Sequence, residues 1–295
     1  MDVRYISDVL KAQYGEKIYR LALQSGCTCP NRDGTLGFGG CSFCSEGGSG
    51  EFAAAPAPVA EQIEKAKELV SAKTSGSRFI AYFQSYTNTY GDLERLRKLY
   101  YETVLRDDIV ILSLGTRPDC VGDDVIAMLK DLNRIKPVWV ELGLQTANEA
   151  TARRINRCYD RNVFEDAYQR LKEAGLTVIV HLIFGLPGED EETMLDSVRY
   201  LASLTPCLDG VKLQMLQILR GTKIAEEFAE NPWHVMTLEE YANLLVKALR
   251  ILPKETIVHR ITGDGPKKLL IEPRWCADKK HVMNTLHKAI DRAEK

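Results

Sequence analysis

Two hydrophobic periods alternate along the chain. Short runs rich in β-branched and aromatic residues read as buried strands. The stretches between them repeat their apolar positions every three to four residues, which marks amphipathic helices. Strands are predicted at KIYRLAL (17–23), RFIAYF (78–83), DIVILSLG (108–115), VWVELGLQ (138–145), LTVIVHLIFGL (176–186), GVKLQMLQIL (210–219) and ETIVHRI (255–261). Helices are predicted over 59–72, 92–105 (with Asp92 as a cap), 123–132, 191–204 and 238–252. One or two more fall between Ala147 and Ala174. This rhythm of about six βα units implies an α/β fold, a parallel sheet covered by helices. It divides the chain into a lead-in over 1–16, a βα barrel over 17–250 and a C-terminal extension over 251–295.

Parallel βα folds carry their chemistry at the C-terminal ends of the strands. Those ends are polar or glycine-rich here: a cysteine loop, then QSYTNTY (84–90), GTRPDC (115–120), Glu141 and Gln145, GLPGED (185–190) and RGT (220–222). Any one of them is an ordinary turn, but together on one face they outline a site.

Composition narrows the class without choosing the chemistry. A net charge of −2 with 45% hydrophobic residues describes an ordinary globular chain and argues against a wholly basic nucleic-acid binder. The N-terminus lacks the basic start and apolar run of a secretory signal. The longest apolar runs are strand-sized, so no membrane association is expected and the cytoplasm is the expected compartment. In a reducing compartment a cysteine cluster points to metal or catalysis.

That cluster is CTCPNRDGTLGFGGCSFC, residues 27–44, which holds four of the eight cysteines. Cys41 and Cys44 form a CxxC, and Cys27 and Cys29 a CxC. Four thiolates suit a structural zinc site, although CxC closes a zinc tetrahedron poorly. Three, from Cys29, Cys41 and Cys44, would leave one iron of a [4Fe–4S] cluster open to a small molecule. The interleaved glycines allow close approach of backbone to a cluster. A zinc-binding or electron-transfer module stays open as the rival.

CPNRDG…GGCSFC, YFQSYTNTY, TRPDC, VELGLQT, HLIFGLPGE and RITGDGP, in that order, resemble the radical S-adenosylmethionine (SAM) enzymes of the YhcC/YtqA (MnmL) type, relatives of the Elongator catalytic subunit. The resemblance runs from about residue 10 to residue 280. FCSEGGSGEFA and GPKKLLIEPRW bring it nearer to the YtqA branch. It implies a partial (βα)6 TIM-like radical SAM barrel with a short C-terminal extension. It also implies Cys29, Cys41 and Cys44 as ligands of a [4Fe–4S] cluster, SAM on the open iron, and Cys27 as a bystander. Reductive cleavage of SAM would yield a 5′-deoxyadenosyl radical that takes a substrate hydrogen.

By the same resemblance, Gln84, Ser85 and Tyr86 hold the SAM amino group, Glu141 the ribose hydroxyls, and Gln145 SAM or substrate. Arg157, in INRCYD, clamps the methionyl carboxylate, although Tyr159 stands where the family has histidine. Gly185 and Gly188 admit adenine. His181 is read as a satisfied core histidine, and Cys207 as a packing residue. Arg117 and Asp119 either line the substrate side or form a loop-organising ion pair. The branch implies a tRNA substrate, carboxymethylaminomethyl-uridine converted to aminomethyl-uridine at the wobble position, and a one-electron reductant such as flavodoxin or ferredoxin. From Arg260 to Lys295, nine basic residues face five acidic ones. With Trp275 nearby, that surplus makes a candidate RNA surface.

Overall fold

The structure, a computed structural model, describes residues 3–48, 50–72, 74 and 76–294. In chain order its strands are β1 (Tyr19–Leu23), β2 (Phe79–Phe83), β3 (Ile109–Thr116), β4 (Val138–Gln145), β5 (Thr177–Phe184), β6 (Gly210–Met215), β7 (Ile218–Leu219), β8 (Ile257–Arg260) and β9 (Leu270–Glu272). Seven of them form one parallel sheet in the order β1-β2-β3-β4-β5-β6-β8. Curled, this is the partial barrel of the expected class.

Strand alternation sorts the residues into two shells. Leu21, Phe79, Leu112, Val140, Val180 and Leu213 face outward into one large core. They pack against the helices α2 (Val59–Ser71), α3 (Leu93–Val104), α4 (Asp123–Asn133), α6 (Arg161–Glu173), α7 (Glu191–Ala202) and α9 (Leu238–Ile251). Asp92 caps α3 as expected, accepting from the Arg95 amide at 2.7 Å. The region between Ala147 and Ala174 holds two helices, α5 (Glu149–Arg154) and α6.

The inward shell is apolar at the bottom and charged higher up. Ile80, Ile111, Trp139 and Ile179 form the lower layer. A helix outside the expected set, α1 (Ile6–Tyr14), covers it with Ile6 and Leu10. The lead-in thus plugs the N-terminal end of the barrel. It also runs along the last strand: Tyr5 bridges Val258, whose amide donates to the Arg4 carbonyl at 2.8 Å. Between the edge strands, Arg20 of β1 meets His259 of β8, with Nη2 and Nδ1 2.9 Å apart.

Two further expectations are corrected. GVKLQMLQIL is not one strand. The parallel ladder ends at Met215, and Ile218–Leu219 turns away to pair antiparallel with β9. The chain then enters α8 (Lys223–Glu230), a second helix that the apolar pattern did not indicate. Its short apolar face, Ile224 and Ala225, joins a separate cluster with Ile155, Ile183, Leu186 and Leu216, against which Phe43 of the cysteine loop packs. The C-terminal helix α10 (Lys279–Glu294) lies on α9 through Val282, Leu286 and Ile290.

Candidate active site

The cysteine loop follows β1, so it starts at the C-terminal edge of the sheet. It folds by being stitched to neighbours. The Asn31 side chain donates to the Asn156 carbonyl at 2.6 Å, and Asn156 Nδ2 returns a bond to the Gly40 carbonyl at 2.9 Å. The Ser42 amide donates to the Ile155 carbonyl, and the Ile224 amide to the Ser42 carbonyl, each at 2.9 Å. Arg32 Nη2 donates to the Cys44 carbonyl at 2.9 Å. Gly40, with φ 80°, sits so close to Arg32 that an added Cβ would lie 2.8 Å from its Nε. Only glycine reconciles that backbone with the neighbouring Cys41.

Cys29, Cys41 and Cys44 line one cavity of about 230 Å³ at the mouth of the barrel. Cys27 lies on a different cavity, beside Tyr90, Leu93 and Arg95, and its Sγ accepts from Arg95 Nη2 at 3.4 Å. The structure therefore divides the four thiols three to one. Among the described residues no three His, Cys, Asp or Glu side chains converge as they would around a single ion. The three thiols are instead spread over one wall, with Asn31 Nδ2 3.7 Å from the Cys41 sulfur. Burial raises the Cys41 thiol to about 12.

The strand ends supply much of the remaining lining. Gln84, Tyr86, Glu141, Gln145 and Arg157 all line the cavity. Ser85 and Gly185 do not. Ser85 is directed towards Gly50, where an added Cβ would meet its side chain, and Gly185 is closed in by Met215 and Met236. Thr87 lines the cavity, and its buried Oγ1 has no hydrogen-bond partner among the described residues. The non-glycine residues with positive φ among those described are Tyr86 (59°), Gln145 (68°), Asn156 (55°) and Cys158 (62°). Two of these line the cavity and two belong to the segment stitched to the cysteine loop, where such strain tends to collect.

Arg157 is fully buried, and its guanidinium is turned to the protein. It donates to the carbonyls of Tyr159 (3.0 Å), Leu144 (2.9 Å) and Thr146 (2.8 Å) and to Glu149 Oε1 (3.1 Å). Here it clasps the end of β4. Arg117 pairs bidentately with Asp119 at 2.9 and 2.7 Å and donates to the Arg157 carbonyl. Arg117 also lines the cavity and Asp119 does not, so for Arg117 the ion pair and a place on the lining coexist. The Tyr159 ring lies 4.9 and 4.6 Å from the two guanidinium carbons, and its hydroxyl donates to the Gly143 carbonyl.

Below the cavity, the charged layer of the inner shell is built around Glu141. Ser113 Oγ donates to Oε1 at 2.7 Å, while His181 Nε2 (2.7 Å) and Lys212 Nζ both reach Oε2. Lys212 also donates to the Tyr82 hydroxyl at 3.0 Å. Burial alone would raise the Glu141 carboxyl, but Lys212, His181 and Arg20 hold it well below the usual range. Burial and the Lys212 charge lower His181 to about 4, so it is a neutral ring satisfied by Glu141. Lys212, Tyr82 and Arg260 went unremarked in the sequence. Lys212 carried the same signal as Glu141, a charge inside an apolar strand.

At the C-terminal end, Arg260, Gly263, Asp264 and Gly265 of RITGDGP complete the cavity, and Lys267 and Lys268 stand exposed just beyond them. Trp275, near the basic surface, is half-buried. Its ring packs against Tyr241, and its N–H donates to the Met236 carbonyl at 2.9 Å. Cys207 is exposed rather than packed, because the chain leaves the core in the turn after α7.

These residues fit a cluster held by three thiolates. The donors are soft, they share one wall, and an unsatisfied hydroxyl and the backbone of Gly115 and Gly143 border the space.

The radical SAM superfamily model matches residues 27–201, and the Radical_SAM C-terminal domain model matches residues 208–292. YtqA of Bacillus subtilis (strain 168) is 39% identical over 96% of this chain and 87% of its own length. A tRNA uridine(34) acetyltransferase of Methanocaldococcus jannaschii is 31% identical over 55% of this chain and 30% of its own length. The archaeal Methanocaldococcus infernus Elp3 with an N-terminal deletion has a similar fold, with a TM-score of 0.70 at 18% identity, covering 93% of this chain and 63% of that one.

Proposed function

The chain belongs to the radical SAM superfamily, whose cofactors are a [4Fe–4S] cluster and SAM, and on that premise we propose that it modifies tRNA, converting carboxymethylaminomethyl-uridine at the wobble position to aminomethyl-uridine. Cys29, Cys41 and Cys44 would hold the cluster, three ligands leaving one iron for SAM. Bound together, cluster and SAM supply a 5′-deoxyadenosyl radical able to take a hydrogen from carbon. The protein's own tasks are to hold the two in register and to exclude water. Gln84, Tyr86 and Gln145 lie where they can bind SAM or substrate, and Glu141 is positioned by Ser113, His181 and Lys212. Ser85, Arg157 and Gly185 would act by shaping the walls.

The observation that carries the reading is the cavity itself, which joins the three thiols to polar residues from the strand ends. The choice of a wobble uridine is supported by the sequence relationship to an enzyme named for uridine 34 of tRNA. No helix among the described residues is long and apolar enough to cross a membrane. The reading places the protein in the cytoplasm, with flavodoxin or ferredoxin as the electron source.

The test is anaerobic reconstitution with iron and sulfide, followed by dithionite, SAM and tRNA bearing the modified uridine. Expected are 5′-deoxyadenosine and loss of the carboxymethyl mass from the nucleoside. Production of 5′-deoxyadenosine with the nucleoside unchanged would transfer the protein to another substrate. A colourless protein with one zinc and no 5′-deoxyadenosine would return it to the zinc-module rival.

A further inference from the structure

The cavity floor carries an unbalanced positive charge. Arg20, Lys212 and Arg260 point into the barrel against a single carboxylate, Glu141; burial lowers Lys212 to about 7, so the surplus lies between one and two charges near neutral pH. The neighbouring imidazoles do not add to it, since burial holds both His181 and His259 in their neutral forms. Nor do they reduce it. A buried cationic surplus is costly unless an anion meets it.

Arg260 is the member of this group that reaches the cavity. A register shift between Val211 and Lys212 brings it opposite Lys212, so that His259 and Arg260 both turn inward. It has no hydrogen-bond or ion-pair partner among the described residues. The other arginines on the lining are engaged. Arg32 is held by the carbonyls of Cys44 and Ser45, Arg117 by Asp119, and Arg157 by the end of β4. The acid nearest in sequence, Asp264 on the rim, is paired with Lys279 at 2.5 Å. Behind Arg260, Arg20 keeps a buried Nε with no hydrogen-bond partner among the described residues. Neutral amides of Gln145 and Gln214 complete the wall.

We infer that Arg260 is a receptor for a carboxylate, and that the carboxylate is carried by the substrate: Arg260 determines specificity for a carboxymethyl head on the base. The inference rests on the proposed wobble-uridine reaction and deepens it. A guanidinium takes a carboxylate through two parallel hydrogen bonds, which fixes the orientation of the head as well as its position. Held so, the carbon between carboxylate and nitrogen would face the same cavity as the three thiols. SAM also bears a carboxylate, so the test must separate the two sources.

The experiment compares the reconstituted holoenzyme with its Arg260→Gln and Arg260→Lys variants. Three quantities are measured: SAM affinity, 5′-deoxyadenosine release without RNA, and binding of an anticodon stem-loop bearing carboxymethylaminomethyl-uridine or aminomethyl-uridine. Loss of a charge-assisted contact should weaken the carboxylate-bearing stem-loop by roughly 10- to 100-fold in Arg260→Gln. Arg260→Lys should recover part of that. The aminomethyl stem-loop and SAM should bind as before. A matching fall in SAM affinity would overturn the inference by giving Arg260 to the cofactor. Equal weakening of both stem-loops, or none, would overturn it too. Should the wild-type protein leave the modified tRNA untouched, N-methylglycine, which is the carboxymethylaminomethyl side chain alone, serves as the probe in saturation-transfer NMR. A wild-type signal lost in Arg260→Gln would then keep the receptor while the tRNA reading falls, and an unchanged signal would end it.

Discussion

Among single residues, the four thiols of the loop are not equivalent. Cys27 opens onto its own cavity and accepts from Arg95, while the other three share a wall. Cys27→Ser is therefore expected to keep its iron and most of its activity, and Cys29→Ser to lose both; iron content and the visible spectrum read the difference. Equal loss from both would indicate a four-thiol site. Glu189, in GLPGED, is a different kind of residue. Burial raises its carboxyl to about 7, against a hydrogen bond from Thr146. The unfolded chain loses this proton near pH 4.5 and the folded protein only near 7, so the folded state binds more protons across that window. Stability should fall as pH rises from about 4.5 to 7. Glu189→Gln does not titrate, so its advantage over wild type should grow across the same window, reaching roughly 2–3 kcal/mol by pH 8 in denaturant melts. A constant difference would refute the assignment.

Among elements, α1 performs work that its place outside the βα rhythm concealed. Leu10 is buried against Ile80, Ile111 and Trp139 at the bottom of the barrel. Leu10→Ala should cost about 2–4 kcal/mol in thermal or denaturant unfolding. SAM affinity should be unchanged, since the cavity lies at the opposite end of the strands. The strands and most helices could be read from the sequence because each has one period and one buried face. The exceptions have physical causes. α1 and α8 are short, and each hides only two residues. GVKLQMLQIL looked continuous because Leu216 stays buried after the ladder stops, in a second core formed with α5 and α8. From the resemblance, Arg157 is expected to clamp the methionyl carboxylate. In the fold, Asn156 fastens the cysteine loop and Arg157 fastens β4, roles that require knowing which distant segments lie beside them.

For the whole molecule, the site draws on residues from Cys29 to Gly265, and strand-end logic was enough to find most of it. Glu141 and the cysteine loop were legible because they stand out against their local pattern, and the family resemblance singled out three of the thiols with Gln84, Tyr86 and Gln145. The cationic floor was not. Whether Lys212 and Arg260 face the axis depends on register and on one irregularity between β6 and β8, which no local pattern encodes. The clasp between the edge strands has a further consequence, for biosynthesis. Arg20 meets His259 across 239 residues of sequence, Arg4 donates to the Glu255 carbonyl across 251, and the cysteine loop is anchored in part by the Ile224 amide. Contacts this distant in sequence form late, after the intervening chain has been made. While the ribosome is still extending the chain, the thiol-bearing loop lacks one anchor and the barrel stands open along one side. The loop is fully anchored only once Ile224 has been made, and until then the nascent thiols depend on the reducing power of their surroundings.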